Sequence, residues 1–484
     1  MNTLTSKQNK RITAAVFVFA GLLYALISLV NHYLFKTYTL DLGLYTHAMY
    51  DYIHFRVDDC SMFKYVPHSI LADHFDLYLP LLSPLVLLFG SYTLLVVQIA
   101  AVLLGGWGVY KLIGLYTDDP WMPILATATF FLSFGIIQAI AFDYHSNVLT
   151  AMMLPWLLYY LKRGKYGLST LFVILFVIGK ENMSLWLFFV VLALMWDYRK
   201  DKKALWHLAA YAVFSMAYFL IINMIVMPKL GGSGGGFVRY EYLGSSYTEI
   251  AKNLLTHPGE AFKHLVDNPH PNEAYDGVKV EFYWCLLTSG LILTLLKPNY
   301  LVMLIPLVAQ KMLAVDPRFW GVSFQYSVEF MPVLVISSFL VIVRLKQQWP
   351  RLFLACALFL STILTTLFTI GVPKSEIMVD QLCVYQGRHY RQKDFDAHYA
   401  RELIQMIPDD ASVSAAMNIV PHLVFREGIY DFFGVGDIVD VDYVLVTEEY
   451  LEMERGDHPL FRLRDQYEVL STDGTLYLFR RIRS

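Results

Sequence analysis

Ten apolar runs limit what this chain can fold into: 11–35, 91–115, 121–141, 146–161, 168–196, 207–228, 281–297, 299–315, 322–345 and 351–371. A helix needs about 20 apolar residues to cross the hydrocarbon core of a bilayer, and several runs are near that length. Of the 484 residues, 56% are hydrophobic and only 16% charged, with a mean hydropathy of +0.46. A soluble domain is less apolar and more charged. The chain therefore reads as a polytopic, all-α membrane bundle. Its formal net charge of −3 leaves no basic footprint for a nucleic acid. Cys60, Cys285, Cys356 and Cys383 lack metal-type spacing, though Cys60 and Cys383 fall on one side in the topology below, where a disulfide would be allowed. Lys7, Lys10 and Arg11 precede an uninterrupted apolar run at 13–30 and no small-x-small cleavage site follows it, so it reads as a retained span.

Basic residues orient the bundle. Lys7, Lys10 and Arg11 put the N-terminus in the cytoplasm and residues 36–90 outside. The stretch 77–90 is apolar but broken by Pro80 and Pro84, and reads as a re-entrant or interfacial segment. Lys162-Arg163-Gly164-Lys165 and Arg199-Lys200 flank 168–196, and both read as cytoplasmic. One helix of that length would be about 43 Å long and would emerge on the wrong side. Two short helices solve both problems, with a turn at Gly179-Lys180-Glu181-Asn182. The whole count is about eleven spans, N-in and C-out. Residues 1–371 form the membrane domain, with outer loops at 36–90 and 229–280. Gly231-Gly232-Ser233-Gly234-Gly235-Gly236 lacks the Lys-Ser/Thr of a phosphate loop and reads as a connector.

Residues 372–484 are more charged and carry no long apolar run. Their patterns predict helix at 394–407, strand at 411–417, helix at 419–426, strand at 442–448, helix at 458–466, and a hairpin over 467–481 turning at Asp473-Gly474. This is a small α/β domain on the outer face.

Charges at membrane depth are costly and usually face a cavity. In this topology Asp41, His74, Asp143, His145, Lys180, Glu181, Arg318 and Tyr326 all share the outer side. Asp41 suits a general base or a metal ligand, or it caps a helix at 42–54. His74 suits phosphate binding or proton transfer, or it is an interfacial histidine bonded to backbone. Asp143-Tyr144-His145-Ser146-Asn147 is a polar island; Asp and His at i and i+2 imply a turn, solvated or functional. Two ligands are too few to assign a metal there. Lys180 suits a phosphate and Glu181 a hydroxyl or ammonium group, or the two close the hairpin as an ion pair. Arg318 suits a phosphate, or snorkels to the interface with Trp320 as an aromatic anchor. Tyr326 begins the next span beside Gln325, Ser327 and Glu329, and Glu329 enters the same cavity. Arg239 and Glu241 read as solvated loop charges. Asn418, Pro421 and His422 read first as a turn after a strand and second as a ligand edge.

The order Asp41-Leu42-Gly43, His74-Phe75, Asp143-x-His145, Lys180-Glu181, Tyr326-Ser327 with Pro332, Ile407-Pro408-Asp409-Asp410-Ala411-Ser412-Val413 and Pro421-His422-Leu423 resembles a family of predicted bacterial and archaeal membrane proteins of unknown function. The resemblance covers nearly the whole chain. That family looks related to the GT-C glycosyltransferases, which take sugars from polyprenyl-phosphate carriers at the outer face. In those enzymes an acidic residue of the first outer loop is central, and Asp41 is the matching position. Departures are Thr46-His47 where the family often has Gln, Ser146-Asn147 in place of Pro-Glu, Asn182 in place of an acidic residue, and Gln325 in place of His.

The resemblance implies a multi-pass glycosyltransferase of the cytoplasmic (inner) membrane, its site and C-terminal domain on the extracytoplasmic side. Asp41, Glu181 and Asp143 would carry the chemistry, and His74, His145, Lys180, Arg318 and Tyr326 would bind substrate. Its partners would be a polyprenyl-phosphate-linked sugar donor, membrane lipid and an acceptor glycan, lipid or protein. No cofactor is assigned, and a divalent metal stays open. The rival readings are a non-catalytic lipid- or glycan-binding scaffold, and a transporter or flippase.

Overall fold

The computed structural model describes residues 5–57, 62, 69–232, 237–371, 374–375, 379–432, 440–452 and 466–482. Cys60, residues 233–236 of the glycine-rich run, and residues 458–465 of the helix expected at 458–466 lie outside these residues. Cys383 is buried with a free thiol. The chain divides into two compact units, Met1–Ala25 with Asp73–Asp76 and Gln98–Leu382, and Leu26–Ala72 with Leu77–Val97 and Cys383–Ser484.

The first unit is built from apolar helices. Among the described residues four helical stretches of the chain are long and apolar enough to cross a membrane: Ser6–Tyr33, Tyr78–Ile113, Lys202–Lys229 and Gln348–Gly371. A fifth is made if Trp121–Phe131 and Phe134–Ala141, bent by 44°, count as one. Other runs give shorter apolar helices, Tyr166–Val177, Met183–Asp197 and Phe330–Ile342.

The breaks have local causes. Between Phe131 and Phe134 the chain turns extended at Ser133 (φ −70°, ψ 143°). Ser133 Oγ donates to the Phe130 carbonyl at 2.7 Å, and Thr366 Oγ1 donates to the released Leu132 carbonyl at 2.7 Å. Backbone groups freed at a helix break are thus satisfied inside the protein, as a bilayer demands. In the run 281–297 the helix Val278–Leu286 passes into a wide turn, Leu287–Leu291, where Gly290 adopts φ 122°. Ser338 Oγ donates to its carbonyl at 3.0 Å.

The long run 168–196 divides as its flanking charges require. Helices Tyr166–Val177 and Met183–Asp197 are separated by residues 178–182. Phe176 near the end of the first meets Trp186 near the start of the second, with ring centroids 5.0 Å apart. The two helices fold back on one another, with Lys180-Glu181 at the apex.

Gly135 lets the Phe134–Ala141 helix lie against backbone at Ser327. A Cβ there would stand 2.6 Å from the Ser327 carbonyl oxygen and 2.8 Å from Met331 Cγ. Gly135→Ala is therefore expected to destabilise the protein by about 1–3 kcal/mol, because backbone rather than a flexible side chain must give way. Thermal unfolding in detergent measures this; an unchanged midpoint would mean that the two segments separate at no cost.

The second unit carries a five-stranded sheet, β1 (Val413–Ala415), β2 (Ile429–Asp431), β3 (Tyr443–Thr447), β4 (Tyr467–Thr472) and β5 (Leu476–Arg481). The order is β2-β1-β3-β5-β4. β1 runs parallel to β2 and β3, and β5 runs antiparallel to β3 and β4. The hairpin turns at Asp473-Gly474, with Gly474 at φ 92° and the Asp473 carboxylate accepting the Thr475 and Leu476 N–H groups. The helix expected at 394–407 is Ala397–Gln405. The helix expected at 419–426 is only one tight turn, Val420–His422. The sequence pattern does not mark β2, which is three residues long.

Candidate active site

In the first unit Lys180 and Glu181 both turn to the same partner, His74. Lys180 Nζ lies 3.1 Å from His74 Nε2, and Glu181 Oε1 lies 3.5 Å from His74 Nδ1. An ammonium only donates, so Nε2 accepts and the ring proton sits on Nδ1, toward the Glu181 carboxylate. Glu181 Oε2 also accepts the Phe75 N–H at 3.2 Å, and Asp73 Oδ2 stands 3.8 Å from Nε2. Adjacent residues of a regular helix diverge. The helix break at 178–182 is what lets two neighbours meet one imidazole.

Burial would raise the Glu181 carboxyl, but His74 and Lys180 beside it bring it down to about 2. A carboxylate lowered in the fold binds fewer protons there than in the unfolded chain. Its contribution to stability is then complete above about pH 5 and is lost as the pH falls toward about 2. Glu181→Gln is expected to flatten stability against pH across that acid window. Unfolding measured from pH 6 to pH 2 tests this, and an unaltered acid limb would refute it.

The Asp143–His145 turn is buried rather than solvated, with Asp143 3% and His145 4% exposed. Asp143 holds a left-handed backbone at φ 38°, which Asp tolerates better than most residues. Gln98 spans the turn: its Nε2 donates to the Asp143 carbonyl at 2.8 Å and its Oε1 accepts the His145 N–H at 2.9 Å. Tyr144 OH donates to Asp76 Oδ2 at 3.3 Å. That bond ties the turn to the short segment that carries His74.

Deeper in the unit Lys311 Nζ donates to Glu329 Oε2 at 2.6 Å, and Asn147 Nδ2 donates to Glu329 Oε1 at 2.9 Å. A carboxylate at position 147 would oppose Glu329; the amide donates to it instead. Lys311 escaped the sequence reading, although an ammonium inside the run 299–315 is the kind of signal that marks a membrane site. Gln98 escaped it too, being an ordinary polar residue until the fold sets it across the 143–145 turn.

Arg318 and Tyr326 belong to an aromatic corner of the first unit. Arg318 is exposed and forks onto Asp316, with Nη2 to Oδ2 at 2.7 Å. Tyr326 packs on Phe319, centroids 4.3 Å apart. Trp320 is not an interfacial anchor: it is wholly buried, its Nε1 donates to the Ala314 carbonyl at 2.7 Å, and Lys279 lies over its ring. Arg239, expected to be solvated, stacks on Phe319 at 4.7 Å.

Asp41 is in the second unit, half-buried in the wide turn Thr39–Gly43 that leads into helix Leu44–Ile53. It does not cap a helix at 42–54. The helical chain begins earlier, so the cap position falls to Tyr38 and Asp41 stands within the first turn. The turn is fixed to the ends of the parallel strands. Thr39 Oγ1 lies 2.6 Å from Asp431 Oδ2 and 2.9 Å from the Met417 carbonyl. Gly43 packs beside Val420 and Pro421.

Among the described residues no three His, Cys, Asp or Glu side chains gather as a metal would need. In the His74 cluster the Lys180 ammonium stands 3.1 Å from the imidazole Nε2, where a metal ion would otherwise bind.

The fold resembles a solved one. The chain is similar to ArnT from Cupriavidus metallidurans bound to undecaprenyl phosphate, with TM-score 0.53, 10% identity and 99% of each chain covered. ArnT from the same source in the apo state aligns over 95% of this chain and 97% of that one, at TM-score 0.46 and 10% identity. No curated protein matches. The DUF2079 family of predicted membrane proteins matches residues 31–468, and the chain belongs to that family.

Proposed function

We propose that this protein is a membrane-embedded glycosyltransferase of the GT-C kind, moving a sugar from a polyprenyl-phosphate donor to an acceptor at the outer face. The observation that carries the reading is the cluster of Lys180, His74 and Glu181 at a break between two apolar helices. The likeness in fold to ArnT, whose structure holds undecaprenyl phosphate, supports a polyprenyl lipid as partner. About eleven spans, a cytoplasmic N-terminus, an extracytoplasmic C-terminal sheet and residence in the cytoplasmic membrane complete the proposal.

Lys180 would hold the donor phosphate. As the sugar–phosphate bond breaks, negative charge grows on the leaving oxygen, and a fixed ammonium stabilises it. Lys180 turns to the phosphate while Glu181 keeps the His74 ring in place beside it. The acceptor hydroxyl attacks the anomeric carbon opposite the leaving phosphate, with inversion. Its proton passes to Asp41, a role that rests on the resemblance. Asp143 and His145, held by Gln98, would line the substrate; Tyr326 is assigned to binding on the same resemblance, and Arg318 on its charge at the outer end of a span.

The test is protein reconstituted in liposomes with a panel of undecaprenyl-phosphate-linked sugars, scored by release of undecaprenyl phosphate. Release by the native protein and its loss in Lys180→Met are expected. Binding of the lipid without release would favour the scaffold reading; neither binding nor release would end the proposal.

A further inference from the structure

The hydroxyl of Tyr218 has a place in the first unit that core packing does not explain. Tyr218 lies on the Lys202–Ile221 helix. That helix runs alongside Tyr166–Val177 in a fixed register. The Tyr166 ring stacks on His207 at 4.0 Å, and Thr170 Oγ1 meets Tyr211 OH at 2.8 Å. Both pairs have the same 41-residue offset, so the helices run parallel and rise together. Continued by two turns, the register sets Tyr218 level with Val177, at the mouth of the 178–182 break. Tyr211, Ser215 and Tyr218 share a helix face by their spacing.

The first two of these hydroxyls are satisfied. Tyr211 bonds Thr170 and donates to the Tyr166 carbonyl, and Ser215 donates to the Tyr211 carbonyl at 2.6 Å. The Tyr218 oxygen is buried and has no hydrogen-bond partner. It lies within electrostatic reach of two carboxylates, Glu181 and Asp76. A buried hydroxyl left unpaired costs stability, and phenylalanine would fill the same space without that cost. The hydroxyl therefore has a use outside the ligand-free fold.

The neighbours define what it meets. Carboxylates only accept hydrogen bonds, so a group that meets them must donate. A phosphate oxyanion does not donate and would be repelled there. A sugar hydroxyl both donates and accepts, and so matches a phenol and two carboxylates together. We propose that Tyr218 binds the sugar of the lipid-linked donor, its phenol paired with a sugar hydroxyl beside Glu181, while Lys180 takes the phosphate. This rests on the glycosyltransferase reading and adds to it a division of the site into a phosphate side and a sugar side.

The experiment compares the native protein in nanodiscs with Tyr218→Phe, using two probes, undecaprenyl phosphate and undecaprenyl phosphate carrying a hexose. Native protein is expected to prefer the hexose lipid. Tyr218→Phe should lose about 10-fold in affinity for it, the scale of one hydrogen bond in a dry site, and keep its affinity for undecaprenyl phosphate. Its thermal midpoint should not fall, since no bond within the protein is lost. A preference that survives in Tyr218→Phe, or no preference in the native protein, overturns the role of Tyr218 and leaves the phosphate site standing. Equal loss of both lipids with a lowered midpoint makes the residue structural and also overturns it. Native protein that binds neither lipid overturns the whole functional reading with it.

Discussion

Asp41→Asn is expected to lower sugar transfer by about 10²- to 10⁴-fold, the range that a positioned general base supplies. The substitution keeps the shape of the side chain and removes its ability to take a proton. Asp41 is half-buried in a turn that Thr39 on Asp431 and Gly43 beside Pro421 also hold. The variant should therefore fold and bind the donor lipid as the native protein does. Turnover in liposomes, set beside lipid affinity and thermal midpoint, separates lost chemistry from lost structure. Turnover retained within a few-fold of native would remove Asp41 from the mechanism.

Lys311→Met should produce the largest loss of stability, about 3–5 kcal/mol. Lys311 and Glu329 are each 3% exposed and joined at 2.6 Å, deep among apolar helices. Removing the ammonium leaves a buried carboxylate whose one remaining hydrogen-bond partner among the described residues is the Asn147 amide. Exchanging both, as Lys311→Met with Glu329→Met, takes both charges out of the low-dielectric interior and should restore most of the loss. Unfolding of the two variants in detergent tests the pairing. A double variant no better than the single one would show that the residues act separately.

The two residues also show how far the sequence could be read. Glu329 was a candidate from its place at the start of a span, but its partner lies 18 residues away inside a run otherwise taken as a plain helix. Nothing local marks which charge will answer which. The 143–147 island shows the same limit. Its composition suits a solvated turn, and burial was decided by contacts with Gln98 and Asp76, which are distant in the chain. Trp320 differs from its sequence expectation for a related reason. A tryptophan beside an arginine near a predicted membrane edge resembles an anchor, and only packing shows it covered on all sides. The break at 178–182 was legible, because basic residues at both ends of one long apolar run are incompatible with a single crossing helix.

The sequence by itself determined the membrane class, the division of the long run into two helices, the mixed small domain with its hairpin at Asp473-Gly474, and the family. These follow from hydropathy, charge placement and turn chemistry, which act over a few residues to a few turns. Tertiary structure decided which polar groups meet: His74 between Lys180 and Glu181, Tyr144 on Asp76, Lys311 on Glu329. The physical reason is desolvation. Inside an apolar bundle each polar group must find a partner, and that partner is chosen by how helices pack and where they break, information spread over the whole chain.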